Sequence, residues 1–226
     1  MKDVYDKLFK KEKTFREEWE GRIGIEYRVP KEISYIINFL KGKKNLTILE
    51  LGAGDGYTSK IIINALNPKK YVATEFSKEG VKKIKKRGIK AIQMDATDLH
   101  LQDSSFDVVI AFNTMHHVND PKKMAQEMMR VSKKYFLLCE ANGLSLPRKI
   151  LEHTKRNKEA GEKSYTPRKY KSFFKGCKYV EVKPFMFAFA FTPNILFNFA
   201  IVLSELAEKI TFLRWQGSSL FIWGEK

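Results

Sequence analysis

Residues 46–57, Leu-Thr-Ile-Leu-Glu-Leu-Gly-Ala-Gly-Asp-Gly-Tyr, constrain the fold more than any other stretch, because a short apolar run meets three glycines and then a helical pattern. Residues 47–51 are β-branched or aliphatic apart from Glu50, the composition of a strand buried on both faces. Gly52, Gly54 and Gly56 remove Cβ at alternate positions, so the backbone can turn with positive φ and approach a ligand closely. A dinucleotide fold rests a pyrophosphate on a helix N-terminus behind Gly-x-Gly-x-x-Gly. Here the third glycine comes one residue early, and Tyr57 stands where the packing glycine would be. Glu50 also sets a carboxylate close to where phosphates would lie. Spacing and charge therefore argue against NAD and favour a ligand carrying an ammonium or sulfonium.

The following loops narrow the ligand. Residues 71–74 read as a second strand ending in Glu75, nineteen residues after Gly56, the distance at which an acid meets ribose hydroxyls in such folds. A carboxylate can accept both hydroxyls of a diol. Residues 91–94 read as a third strand ending in Asp95-Ala96, and residues 106–112 as a fourth, followed by Asn113-Thr114-Met115-His116-His117-Val118. Singly, Glu75 reads equally well as a solvated strand end, Asp95 as a loop cap and the glycines as a tight turn. In this order, after successive strands, they share no structural cause other than a nucleoside-like ligand.

Glu-Leu-Gly-Ala-Gly-Asp-Gly resembles motif I of the class I S-adenosylmethionine-dependent methyltransferases, and the Phe-Asp-Val-Val strand with its His-His-Val loop is similar to the small-molecule branch of that family. The resemblance covers residues 46–142, and residues 166–183 match more loosely. It implies S-adenosylmethionine as cofactor and S-adenosylhomocysteine as product. Glu50, Gly52, Gly54 and Gly56 would hold the methionine part, Glu75 the ribose, and Asp95 with Ala96 the adenine; Ala53, Tyr57, Phe76, Asn113 and Thr114 complete the implied cofactor set. His116 and His117 follow strand four, facing the cleft, and imidazole titrates near neutral pH. They are the candidate bases, one of them with packing as the alternative role. No metal is expected.

The rest of the chain alternates β and α signals, which predicts an α/β Rossmann-like, doubly wound and mostly parallel sheet. Helices are expected at residues 58–66, 77–87, with Gly88 as stop, and 121–131, with Asn119 or Asp120 as N-cap. Strand five is expected at 134–140, a short helix at 166–174, strand six at 179–182 and the last strand at 219–223. The resemblance implies seven strands in the order 3-2-1-4-5-7-6, the last two as an antiparallel hairpin; this sequence departs from that pattern by an apolar insertion between strands six and seven. A single domain over residues 1–226 is expected, and the resemblance implies that helices in residues 1–44 cover the cofactor. Residues 3–20 read as one amphipathic helix, and a second is expected to follow Pro30. Arg28, between them, is a candidate partner for the methionine carboxylate.

Residues 184–204 carry no charge and six phenylalanines. Phe185, Phe187, Phe189 and Phe191 recur at period two, whereas Ile195, Phe199, Val202, Leu206 and Ile210 recur at helical spacing after Pro193. The change of period argues against a transmembrane helix. The insertion, residues 184–214, is expected to be an apolar cap over the substrate or a surface resting on an anionic membrane. Net charge is +16, and residues 148–183 hold twelve basic against four acidic side chains. A polybasic segment beside an apolar helix is the pairing that binds anionic lipid. The acceptor is therefore expected to be a small molecule, lipid- or quinone-like. An RNA methyltransferase and a non-catalytic S-adenosylmethionine-binding module are the alternatives, RNA being disfavoured because no Asn-Pro-Pro-Tyr tetrad follows strand four. Cys139 and Cys177 suggest no disulfide framework, and no secretory leader follows Met1, so a cytoplasmic location, with contact to a membrane surface, is expected.

Overall fold

The computed structural model describes residue 9 and residues 23–153, 163–186 and 194–226. Seven strands form one sheet in the order β3-β2-β1-β4-β5-β7-β6. They are β1 (Thr47–Leu51), β2 (Lys70–Glu75), β3 (Ala91–Gln93), β4 (Phe106–Phe112), β5 (Ser132–Ala141), β6 (Tyr179–Phe185) and β7 (Ser219–Glu225). β1 lies between β2 and β4, and all pairings from β3 to β5 are parallel. β7 runs antiparallel to both β5 and β6. The expected strand order is the observed one.

Alternation along β1 sorts the core into two layers. Ile48 packs on one face with Ile33, Ile36 and Leu40 of α1 (Ile23–Leu40) and Ile62 of α2 (Tyr57–Leu66). Ile84 of α3 (Lys78–Lys86) joins that layer. Leu49 and Leu51 point the other way, onto Met124 and Met128 of α4 (Pro121–Val131). Three helices expected from sequence start on side-chain caps. Ser77 Oγ accepts Gly80 N at 3.2 Å, Asp120 Oδ1 accepts Lys123 N at 2.9 Å, and Thr166 Oγ1 accepts Lys169 N at 3.3 Å at the start of α6 (Pro167–Phe173).

Three expectations change. α1 begins at Ile23, so Pro30 lies inside the helix rather than at its first turn. The buried stripe of Val29, Ile33 and Ile36, with the Arg28–Glu32 ion pair at 3.0 Å, holds the helix together across the hydrogen bond that proline removes. β6 runs on to Phe185 through Pro184. Among the described residues it is the edge strand, paired with β7, where a missing donor is tolerated. Residues 146–152, which show no helical periodicity in sequence, form α5 (Leu146–Glu152). Its Leu146 and Ile150 face outward. Apart from Phe9, the helix expected at residues 3–20 lies outside the described residues, as do the alternating aromatics Phe187, Phe189 and Phe191.

The insertion holds α7 (Asn194–Lys209) and α8 (Thr211–Arg214). Phe197 and Ser204 are buried, with Phe197 edge-on to Tyr27 at 6.1 Å. Lys31 binds both Glu208, at 2.5 Å, and Tyr27 Oη, at 2.9 Å, and Glu208 also accepts Met186 N at 2.8 Å. The side of α7 with Ile195, Phe199, Val202 and Leu206 is exposed.

Candidate cofactor and active site

The loops after β1 to β4 meet at the C-terminal ends of the parallel strands, around a cavity of about 420 Å³. This is where open α/β sheets place ligands. Gly52 and Gly54 adopt φ of 64° and 63°. A Cβ on Gly52 would sit 2.4 Å from Thr114 Cγ2, so the first loop is pressed onto the fourth. Gly54 faces the cavity and its N–H donates to Glu75 Oε2 at 2.9 Å.

Glu75 is buried, and its second oxygen accepts Ser77 N at 3.0 Å. Burial pushes its carboxyl above the ordinary range, against the pull of these backbone N–H groups. Backbone N–H groups of Gly54, Phe76 and Ser77 orient the carboxylate, and a carboxylate can accept the hydroxyls of a diol. Glu50, also buried on the wall, accepts from Ser59 Oγ and, at 2.7 Å, from Tyr71 Oη. Burial and this neighbouring carboxylate push the Tyr71 hydroxyl well above its usual value, so it stays a donor. Asp95 Oδ1 accepts Thr97 N at 2.8 Å and Thr97 Oγ1 at 2.7 Å, which fixes the third loop.

The fourth loop turns at Asn113, in the left-handed region at φ 49°, and its Nδ2 donates to Glu32 Oε2 at 3.2 Å. Behind it lies Glu140, fully buried in β5. Its Oε1 accepts Thr114 N at 3.0 Å and Met115 N at 2.8 Å, while Oε2 lies 2.6 Å from His116 Nδ1. His116 is buried there, and its ring centre is 4.0 Å from that of His117, which lines the cavity.

Residues 49–137 match the model of the family described as "Methyltransferase domain". Residues 49–137 thus form a methyltransferase domain of the S-adenosylmethionine-dependent kind. An 86-residue stretch is 36% identical to an uncharacterized protein of Methanocaldococcus jannaschii, covering 38% of this chain and 39% of that protein. An 88-residue stretch is 30% identical to the phthiotriol/phenolphthiotriol dimycocerosates methyltransferase of Mycobacterium tuberculosis, covering 37% of this chain and 33% of that one. The matched stretch thus spans little more than a third of these relatives. Among solved structures, an S-adenosylmethionine-dependent methyltransferase of Thermotoga maritima shares the fold over 100% of both chains, at a TM-score of 0.72 and 18% identity. A Haloferax volcanii methyltransferase, solved in complex with the Trm112 methyltransferase activator, shares it over 93% of this chain and 95% of that structure's, at 0.67 and 17%.

In the methyltransferase domain, Glu50, Gly52, Ala53, Gly54, Glu75, Phe76, Asp95, Ala96, Asn113 and Thr114 all line the cavity. Their chemistry fits S-adenosylmethionine: a carboxylate set for a diol, a side-chain-free turn, and acids on the wall instead of cations. Gly56 and Tyr57 stand behind it. Gly56, at φ 79°, precedes α2, and a Cβ there would lie 3.3 Å from Ile84 Cα, so its absence lets α2 approach α3. The Tyr57 ring packs 5.9 Å from the Arg87 guanidinium. His116 turns away to Glu140, and Arg28 pairs with Glu32 and is not on the cavity wall.

Several supports escaped sequence reasoning. Arg87 reaches from the end of α3 to Asp55 O, at 2.8 Å, and to Asp55 Oδ2, at 3.3 Å, bracing the glycine turn. Glu140 looks like an ordinary strand end until the fold sets it under the fourth loop. Gly80 looks like a weak helix residue, yet a Cβ on it would lie 2.6 Å from Glu75 Cγ and 2.9 Å from Gly54 O. Gly80→Ala gains at most about 1 kcal/mol of helix propensity, and overpacking of this kind costs about 1–3 kcal/mol. The clash should prevail. Chemical denaturation is expected to show a net loss of stability, and calorimetry weaker binding of S-adenosylmethionine; a more stable variant with unchanged binding would contradict the packing described here.

Proposed function

We propose that the chain transfers the methyl group of S-adenosylmethionine to a small, lipid-like acceptor. The observation that carries this reading is a single cavity walled both by Glu75, Asp95 and the glycine turn and by His117 with Phe9, Phe112 and Val118. Polar groups suited to a nucleoside and an apolar wall beside an imidazole thus share one space. The sulfonium supplies an already activated methyl group, so orientation accounts for much of the acceleration. Glu75 and Asp95 would hold the nucleoside, and the glycine turn would admit the methionine part. His117 would take the proton that an acceptor O–H or N–H gives up as the new bond to the methyl carbon forms and the carbon–sulfur bond breaks. His116, tied to Glu140, would keep His117 in place through ring contact. The relative named for phthiotriol dimycocerosates supports a lipid-like acceptor.

The test is transfer of labelled methyl groups into a cell extract separated into organic, polar-metabolite, RNA and protein phases. Label is expected in the organic or metabolite phase, and His117→Ala is expected to slow its appearance by a factor on the order of a hundred. Label confined to RNA or protein would overturn the acceptor class, and an undiminished rate in His117→Ala would remove the histidine from the mechanism.

A further inference from the structure

We infer that α5, α7 and α8 together form a docking surface for an anionic lipid bilayer, placed at the same end of the sheet as the cofactor cavity. α7 is amphipathic in an inverted sense. Its inward side holds Phe197, Ser204 and the ion-paired Glu208, whereas its outward side presents Ile195, Phe199 and Leu206 at 91%, 64% and 51% exposure. Phe212 of α8, at 79%, and Ile150 of α5, at 72%, extend the same character to the neighbouring elements. An apolar surface of this extent is uncommon on a soluble chain without a partner.

The three helices are joined by specific bonds. Asn142, directly after β5, is buried and donates from Nδ2 to Trp215 O at 2.9 Å and to Gly217 O at 2.7 Å. Leu146 N, at the start of α5, donates to Gln216 Oε1 at 3.2 Å. Arg214 Nε donates to Glu208 O at 2.7 Å, tying α8 back to α7. Register gives the location. Cys139 of β5 lies beside Phe112 of β4, and Ala141 lies opposite Ser219. The helices therefore sit at the same end of the sheet as Asn113, Thr114 and His117.

Charge decides among occupants. α5 carries Arg148 and Lys149, and its acid, Glu152, already pairs with Lys149 at 2.9 Å. On α7, Glu208 is taken by Lys31 at 2.5 Å, and the exposed Glu205 is offset by the exposed Lys209 at its end, which leaves Arg148 of α5 and Arg214 of α8 as the basic excess of the three helices. The chain as a whole has a net charge of +16, half of it in residues 148–183. Apolar side chains among basic groups match a surface of acyl chains beneath anionic headgroups. A second copy of this chain would meet the same positive charge. Among the described residues no helix is long and apolar enough to cross a membrane, so α7 would lie along the interface. Docked there, the chain would open its cavity beside the bilayer; that delivery of an acceptor rests on the function proposed above, whereas the docking does not.

The test needs no turnover. The full chain is floated with vesicles of phosphatidylcholine alone and of phosphatidylcholine with about one-third phosphatidylglycerol. Flotation is expected with the anionic vesicles and to weaken in high salt. The triple variant Phe199→Glu, Leu206→Glu, Phe212→Glu should lose at least about a hundredfold in partition, with thermal unfolding and S-adenosylmethionine binding close to those of the parent. Protein that stays at the bottom of the gradient with anionic vesicles overturns the inference. So does a triple variant that floats like the parent, or a parent that sediments as a dimer while the variant is monomeric, which would make the face an interface between copies. Failed flotation with label still entering the organic phase would sink the docking surface and leave the proposed activity standing.

Discussion

Replacing Glu75 with alanine is expected to weaken S-adenosylmethionine binding by about two to three orders of magnitude, because hydrogen bonds to a charged acceptor contribute about 1.5–3 kcal/mol each and two ribose hydroxyls would lose theirs. The variant also leaves Gly54 N and Ser77 N without the acceptors that now hold them at 2.9 and 3.0 Å, so the turn itself loosens. Glu75→Gln should not rescue binding, since its amide would point a donor at one of those N–H groups. In the parent protein, stability and cofactor affinity should respond to pH with opposite signs. Burial raises the Glu75 carboxyl, so the folded state holds this proton more tightly than the unfolded chain does. Its contribution to stability is present below the unfolded value and is lost as pH rises through the raised one. Cofactor affinity should increase over that same window, because only the carboxylate offers acceptors to both hydroxyls. Titration calorimetry at acid and neutral pH, beside denaturant unfolding of apo Glu75→Ala, reads both. An affinity within a factor of about ten of the parent at neutral pH would remove Glu75 from the ribose site.

Glu140→Ala should be the most damaging change to stability, at about 3–5 kcal/mol, because it strips the acceptor from a buried polar network. Three groups lose their partner at once: Thr114 N, Met115 N and His116 Nδ1. No water has ready access, since Glu140 and Met115 are fully buried and His116 nearly so. The glutamine variant should lose far less, because its carbonyl can serve the two backbone N–H groups while its amide faces a His116 nitrogen that can become the acceptor. Urea unfolding of the two variants separates network from volume. A loss below about 1 kcal/mol for alanine would show that the fourth loop is held by packing alone. Since the same loop carries His117 to the cavity wall, Glu140→Ala should also slow transfer by more than its loss of cofactor binding accounts for.

By itself the sequence determined the parts that depend on neighbours along the chain. A glycine turn after an apolar strand, acids at the ends of the second and third strands, and helix starts at Ser77, Asp120 and Thr166 rest on backbone conformation and hydrogen bonds within a few residues. Alternation of strands and helices then limits the topology, because right-handed crossovers leave few ways to assemble one sheet. Tertiary structure decided what depends on residues far apart in sequence. Gly56 and Tyr57 belong to the same motif as Gly52 and Gly54 but face α3, which only the packing of α2 reveals. His116 and His117 are adjacent and chemically identical; a carboxylate 24 positions on, at Glu140, draws one inward and leaves the other on the wall. Gly80 and Arg87 acquire their places because α3 folds back over the turn. The stripe from Ile195 to Leu206 has the spacing of a buried helix face, and periodicity reports that a helix is two-sided without saying what covers the apolar side. Here the α1 contacts of Phe197, Lys31 and Glu208 take the opposite side, and the apolar stripe is left outward.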